Sequence, residues 1–386
     1  MDRRNFFGIS VAAAVAKAGW AKARQSDPAG GKVRNYYVAA DEVDWDYAPS
    51  GINQYTGKPF EGYAKTFVEK GPHRIGKVYR KVAYQEYTDD TFKQLKTRPA
   101  DDAYMGILGP SLYGEVGDTI RVVFKNNASR PYSMHPHGVF YDKASEGAPY
   151  NDGLPMAQKP GAAVPPGKTY VYTWPVPERA GPGPNDPSSL AWQYHSHVKE
   201  MADTNSGLVG FIVVTRRGMA RPDGRPKDVD REIFTHFLMY DENQSWYLDH
   251  NIQTYCTDPK GVKKDEFASR DLEGRYSIIG EGFGAVNFKS AINGFMFANM
   301  PVMKMKRGER VRWYIGTLGY AFNFHTPHWH GNTVLLNGSR TDVVPVAPSQ
   351  SVTVDMKPDN PGIWLYHCHV SDHFTMGMMS FYEVLA

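Results

Sequence analysis

The chain has 386 residues, enough for two domains of ordinary size. Lys and Arg number 44 against 41 Asp and Glu, a net charge of +3, and no run of like charge stands out; this gives no basis for binding nucleic acid. Ordinary hydrophobic content with 37 Gly, 27 Pro and 24 Tyr suits a turn-rich β protein better than a helical one.

The first segment carries Asp2-Arg3-Arg4-Asn5-Phe6-Phe7-Gly8 and then an Ala/Val-rich stretch ending near Ala23. This is the pattern of a twin-arginine export signal over residues 1–25, and it predicts a periplasmic or secreted protein. The apolar run is short and contains Lys17, so no membrane span is expected.

From about residue 30, short β-like runs alternate with Gly, Pro and Asn. Residues 119–124, 170–174 and 210–214 are examples. Two His motifs fall among them, His135-Pro136-His137-Gly138 and His195-Ser196-His197. Residues 30–217 make a first domain. Residues 218–230 are polar and rich in Pro and Gly, and read as a linker. Over residues 231–386 the plan recurs. Residues 310–315 parallel 119–124, each after a Gly-centred turn (Gly308, Gly117) and each before a His cluster. The second domain's clusters are His325-Thr326-Pro327-His328-Trp329-His330-Gly331 and His367-Cys368-His369, the latter followed by Asp372-His373 and Met378. Trp364-Leu365-Tyr366-His367-Cys368-His369 parallels Trp192-Gln193-Tyr194-His195-Ser196-His197, with Cys368 where the first copy has Ser196. The chain is predicted to be all-β, a duplication of one Greek-key β-sandwich.

Ten of the 13 His lie in these four clusters. A single His-x-His is a weak signal for metal, but four, one of them around a Cys, are strong. Cys with two His and a weak axial Met is the ligand set of a blue copper site. On a strand, neighbours point to opposite faces and i, i+2 share one. Cys368 can therefore serve one metal while His367 and His369 reach others behind the strand. A type 1 copper plus a trinuclear cluster needs ten His, one Cys and usually one Met, and the motifs supply that number. Cys256, the other thiol, reads as a buried free Cys. Trp192 and Trp329, beside ligands, read as packing that stiffens the site.

These motifs resemble those of the multicopper oxidases. The resemblance extends to the ceruloplasmin and hephaestin A-domain pair through Tyr36-Tyr37-Val38-Ala39-Ala40, Glu42-Val43-Asp44-Trp45-Asp46-Tyr47 and Ser290-Ala291-Ile292-Asn293-Gly294, and covers nearly everything from residue 34 onward. It implies two cupredoxin-like domains and four coppers per chain equivalent. Type 1 copper would be held by His325, Cys368, His373 and Met378, and type 2 by His135 and His328. The type 3 pair would be held by His137, His195 and His369, and by His197, His330 and His367. It implies catalytic roles for Cys368, His367, His369 and Asp372, with a small-molecule or metal-ion reductant and dioxygen as partners. As one third of a six-domain plan, the chain is expected to form a head-to-tail homotrimer with trinuclear centres between subunits.

The chain also departs from that family. Ser189 and Thr215 replace a Cys pair, and residues 151–164 hold a single Asp where a calcium loop is expected. Ferroxidase-type iron ligands are replaced by Ala285, Ser290 and Ala321, leaving Asp372. One carboxylate is a poor site for a hard cation. A phenolic, laccase-like reductant is therefore expected, with ferrous or cuprous oxidation as the alternative. Met296, Met300, Met303 and Met305 either fill the core or favour Cu(I). A copper nitrite reductase needs no type 3 His pairs, and a non-catalytic copper-binding scaffold needs no complete ligand set, so both fit less well.

Overall fold

The computed structural model describes residues 31–266, 280–319 and 321–386. The export-signal reading of residues 1–25 lies outside the described residues. Eight strands make the first half: β1 (Val33–Asp46), β2 (Val78–Tyr87), β3 (Leu112–Glu115), β4 (Thr119–Asn126), β5 (His135–Pro136), β6 (Thr169–Pro175), β7 (Ser189–His195) and β8 (Val209–Thr215). They form two four-stranded sheets, ordered β2-β1-β4-β6 and β3-β8-β7-β5. The second half contains β9 (Arg231–Asp241), β10 (Phe288–Ile292), β11 (Met303–Lys306), β12 (Val311–Gly316), β13 (Pro327–Trp329), β14 (Val334–Leu336), β15 (Ser339–Thr341), β16 (Ser351–Met356), β17 (Gly362–Cys368) and β18 (Met379–Leu385). Its sheets run β10-β9-β12-β16-β14-β15 and β11-β18-β17-β13.

The two halves repeat each other pair by pair. β1 runs parallel to β4 as β9 runs parallel to β12, and β3 parallel to β8 as β11 parallel to β18. The His strands share a register: His135 pairs with His195 across β5 and β7, and His328 with His367 across β13 and β17. The β14–β15 hairpin is an addition in the second half. Its two-residue loop, Asn337-Gly338, has φ of +49° and +79°. A tight hairpin turn requires left-handed backbone at both positions, and Asn-Gly supplies it at least cost.

Strand alternation fuses the halves. On β7 the odd positions Ser189, Ala191 and Gln193 point to the second half, while Trp192 and Tyr194 pack against the core of the first. Ser189 Oγ lies 2.7 Å from the Tyr314 hydroxyl, and Gln193 Nε2 donates to the carbonyls of Thr317 and Gln350. Phe211 on β8 meets Phe234 at 5.7 Å, and Phe234 stacks on Tyr314 at 5.0 Å. One apolar cluster thus runs from the first half into the second. Residues 218–230 fold back on the first half: Arg34 Nη1 donates to Pro222 O, and Thr215 Oγ1 to Gly224 O. Ser189 and Thr215 stand opposite each other in the β7–β8 register. Both Cys side chains are buried and unbonded. No helix among the described residues is long and apolar enough to cross a membrane.

Candidate metal centre

Cys368 ends β17 and points inward, fully buried. His325 enters from the segment after β12, pinned by backbone bonds in both directions to Val346. His373 comes from the helix Ser371–Thr375. Their donor atoms converge: Cys368 Sγ lies 3.7 Å from His325 Nδ1 and 3.5 Å from His373 Nδ1, and the two nitrogens are 3.1 Å apart. A point about 2.0 Å from all three follows from these sides, within the roughly 2.0–2.3 Å of metal–imidazole and metal–thiolate bonds. The Thr326 N–H donates to Cys368 Sγ at 3.4 Å. Met378 is fully buried, and its backbone is bonded to both Cys368 and His373. Burial pushes the Cys368 thiol up and holds His373 down at about 4. His325 lies well below the usual range for the same reason. Burial thus favours neutral imidazoles, whose lone pairs suit a cation, and a protonated thiol, which a bound cation would displace to the thiolate.

His367 and His369 lie on the other face of the strand, as alternation requires, with rings 5.5 Å apart. They join His328 and His330: His330 Nε2 is 3.1 Å from His367 Nε2, and the His328 ring lies 5.2 Å from that of His369. The first half repeats this. His137 Nε2 is 3.1 Å from His195 Nε2, and the His135 and His197 rings are 5.0 Å apart. The backbone sets the tautomers. His135 Nδ1 donates to Glu146 O at 2.7 Å and His328 Nδ1 to Asp342 O at 2.9 Å. His195 Nδ1 donates to Ser196 O at 3.1 Å and His367 Nδ1 to Cys368 O at 2.8 Å. Carbonyls only accept, so in the neutral ring each of the four presents a bare Nε2. Desolvation holds both His137 and His367 down at about 4. Crowded neutral nitrogens with fixed lone pairs are a donor set that copper fits.

Each foursome opens to the surface. His330 and His369 are exposed, and His135, His137 and His197 half-buried. Among the described residues no hydrogen bond or ring contact joins one foursome to the other. The type 2 and type 3 sets expected from sequence draw on both, and a single chain does not bring them together.

Asp372 is exposed beside His373. Ala285 and Ser290 are fully buried, and Ser290 Oγ has no hydrogen-bond partner among the described residues. Met296, Met300, Met303 and Met305 are all buried in the core, so the core-filling reading holds for them. Trp329 is likewise buried, packed on Trp313 at 5.5 Å and Tyr366 at 5.2 Å.

Some contributors escaped sequence reasoning. A Cβ on Gly138 (φ +75°) would lie 2.2 Å from the Trp192 indole, and one on Gly331 (φ +74°) 2.4 Å from Trp364. The Gly after each first motif and the Trp three residues before each second motif form one lock, used twice. The repeated spacing was the available signal. Glu200, whose Oε2 lies 3.3 Å from His197 Nε2, carried none.

Family models described as multicopper oxidase match residues 103–218 and 275–385. The chain belongs to the multicopper oxidase family. It is 43% identical over 355 residues to ferroxidase HEPHL1 of Homo sapiens, covering 91% of this chain and 29% of that protein. It is 41% identical over 363 residues to hephaestin of Mus musculus, covering 93% and 30%. It therefore spans less than a third of the length of these curated relatives. A solved multicopper oxidase aligns over 92% of this chain and 90% of its own, with TM-score 0.54 and 18% identity, a likeness of fold.

Proposed function

We propose that the chain couples four one-electron oxidations of a reductant to reduction of dioxygen to water. In this reading His325, Cys368, His373 and Met378 hold type 1 copper, and His135 with His328 type 2. His137, His195 and His369 hold one type 3 copper, and His197, His330 and His367 the other. The buried Cys368–His325–His373 triangle, one residue from His367 and His369, carries the proposal. Copper, when bound, supplies the one-electron steps and the site of oxygen reduction. The chain's own part is to keep His137, His195, His325, His367 and His373 neutral by burial, to fix tautomers through Glu146 O and Asp342 O, and to exclude water from Cys368 Sγ.

The split foursomes support a homotrimer in which one copy's His135, His137, His195 and His197 meet another's His328, His330, His367 and His369. An active, four-copper species sedimenting at the mass of one chain overturns this. For the reductant we favour a phenol: Ala285 and Ser290 offer no cation ligand, and exposed Asp372 is placed to take a hydroxyl proton beside His373. A second reading, metal-ion oxidation, is favoured by the relative named a ferroxidase. Oxygen uptake with phenols, Fe(II), Cu(I) and Mn(II) side by side decides between them. A higher specificity constant for Fe(II) than for any phenol overturns the phenolic reading. We place the protein, with its twin-arginine pattern, in the periplasm or outside the cell.

A further inference from the structure

Four of the clustered imidazoles turn Nδ1–H to a carbonyl and present Nε2. His325 is reversed. Its Nδ1 faces Cys368 Sγ and His373 Nδ1, and its Nε2 lies 3.2 Å from Asn323 Oδ1. Both residues are buried, 0% and 1% exposed. A second contact fixes which amide atom this is. The backbone N–H of Met239 donates to the same atom at 2.7 Å, and an N–H requires the oxygen, not the NH2. An amide oxygen donates nothing, so in this contact the hydrogen belongs to His325 Nε2, and in the neutral ring Nδ1 keeps its lone pair.

Asn323 is itself held in place. Its carbonyl accepts from Thr317 Oγ1 at 3.2 Å, and it closes the turn Ala321–Asn323. At Gly319 (φ +94°) an added Cβ would lie 2.7 Å from Asn323 Nδ2. The Phe237 ring, 5.8 Å from His325, offers no competing acceptor.

We propose that Asn323 is a positioning residue for His325. It selects the Nε2–H tautomer, and as a neutral amide it leaves the imidazole a weaker electron donor than a carboxylate in its place would. The inference rests on the copper reading above. Its physical basis is general: hydrogen bonding from a ligand's remote N–H raises that ligand's basicity, and an anionic acceptor raises it more. A weaker donor favours the reduced state of the bound ion, so Asn323 keeps the reduction potential higher than a carboxylate in its place would.

Two variants test this. Asn323→Asp keeps an oxygen for both Met239 N–H and His325 Nε2–H, so it changes charge and little else. Asn323→Leu removes the acceptor. In the metal-free protein, ¹⁵N NMR of His325 is expected to show the Nε2–H tautomer in the parent and in Asn323→Asp, and a mixture in Asn323→Leu. In copper-loaded protein, spectroelectrochemistry is expected to give a lower midpoint potential for Asn323→Asp with the intense visible band retained. An Nδ1–H tautomer in the parent, or an unmoved potential in Asn323→Asp, overturns the proposal. Copper-loaded parent protein without any intense visible band overturns the copper reading instead, and the tautomer measurement still judges Asn323 by itself.

Discussion

The halves of this chain place two different chemistries on one backbone. Cys368 and Ser196 both sit between two clustered His, and each accepts from the backbone N–H of the same motif position, Thr326 at 3.4 Å and Ser133 at 3.1 Å. Around Cys368, His325 and His373 turn nitrogens inward. Around Ser196, the hydroxyl donates to Asp203 Oδ2 at 2.7 Å, and Trp246 Nε1 holds Oδ1 at 2.8 Å. Tyr132, three residues before His135 as His325 is before His328, hydrogen-bonds Tyr247 rather than a metal position. One location thus carries a soft donor set in one copy and a closed hydrogen-bond network in the other. Being the same fold does not make the same site; the side chains that reach the location decide.

The largest effect expected from breaking this comparison comes from the thiol. Cys368→Ser should abolish the intense visible absorption and nearly all oxygen uptake while the His-bound copper stays, measured by metal analysis and spectroscopy. Ser196→Cys should create no second band, because Tyr132 and Asp203 offer no paired imidazoles. A second band would mean that the scaffold, not the side chains, makes the site.

The lock shared by both halves comes next. Gly331→Ala and Gly138→Ala each force a Cβ into an indole at a left-handed position, at a cost of about 3 kcal/mol each from overpacking and backbone strain. Urea unfolding should give similar losses for the two; a loss confined to one would show that the copies do not share the lock.

A prediction of similar size concerns the seam. Glu232 lies between Tyr113 of the first half and Tyr314 of the second, and burial pushes its carboxyl up to about 7. A raised carboxyl favours the protonated, folded state. Its contribution is full below pH 4.5 and is lost as pH rises through 7, on the order of 3 kcal/mol across that window. Unfolding midpoints should fall over that range in the parent and stay flatter in Glu232→Gln. Equal slopes would remove Glu232 from the account.

The smallest expected effect is at the hydrogen-bonded counterpart. Ser196→Ala strips one donor from buried Asp203 and should cost roughly 1–2 kcal/mol by thermal unfolding. The visible band should persist, since Cys368 lies outside that network.

Much of the candidate centre was legible in the sequence because its ligands come in short motifs at strand spacing: His367, Cys368 and His369 announce opposite faces by position alone. The duplication was legible because Trp192–His197 and Trp364–His369 share their Trp, Tyr and both His at the same spacing. The acceptors that set tautomers were not. Glu146 and Asp342 act through backbone carbonyls that any residue provides, 11 and 14 positions from their His. Asn323 gave no signal either, since its role depends on a shared contact with Met239 on a distant strand. Nor does local sequence say that, among the described residues, each foursome gathers within its own half; that depends on which strands pair, β5 with β7 and β13 with β17.

The Ser189–Thr215 pair bears on how the chain matures. Where relatives' A domains are expected to carry a cross-strand bridge, these two positions bear hydroxyls, and the two thiols present are buried and separate. Among the described residues the β7–β8 pairing therefore rests on backbone hydrogen bonds and packing, with no thiol oxidation behind it. Cys368 shares the chain with one other thiol, Cys256, and in the folded protein each is buried and free, so neither is bonded to the other.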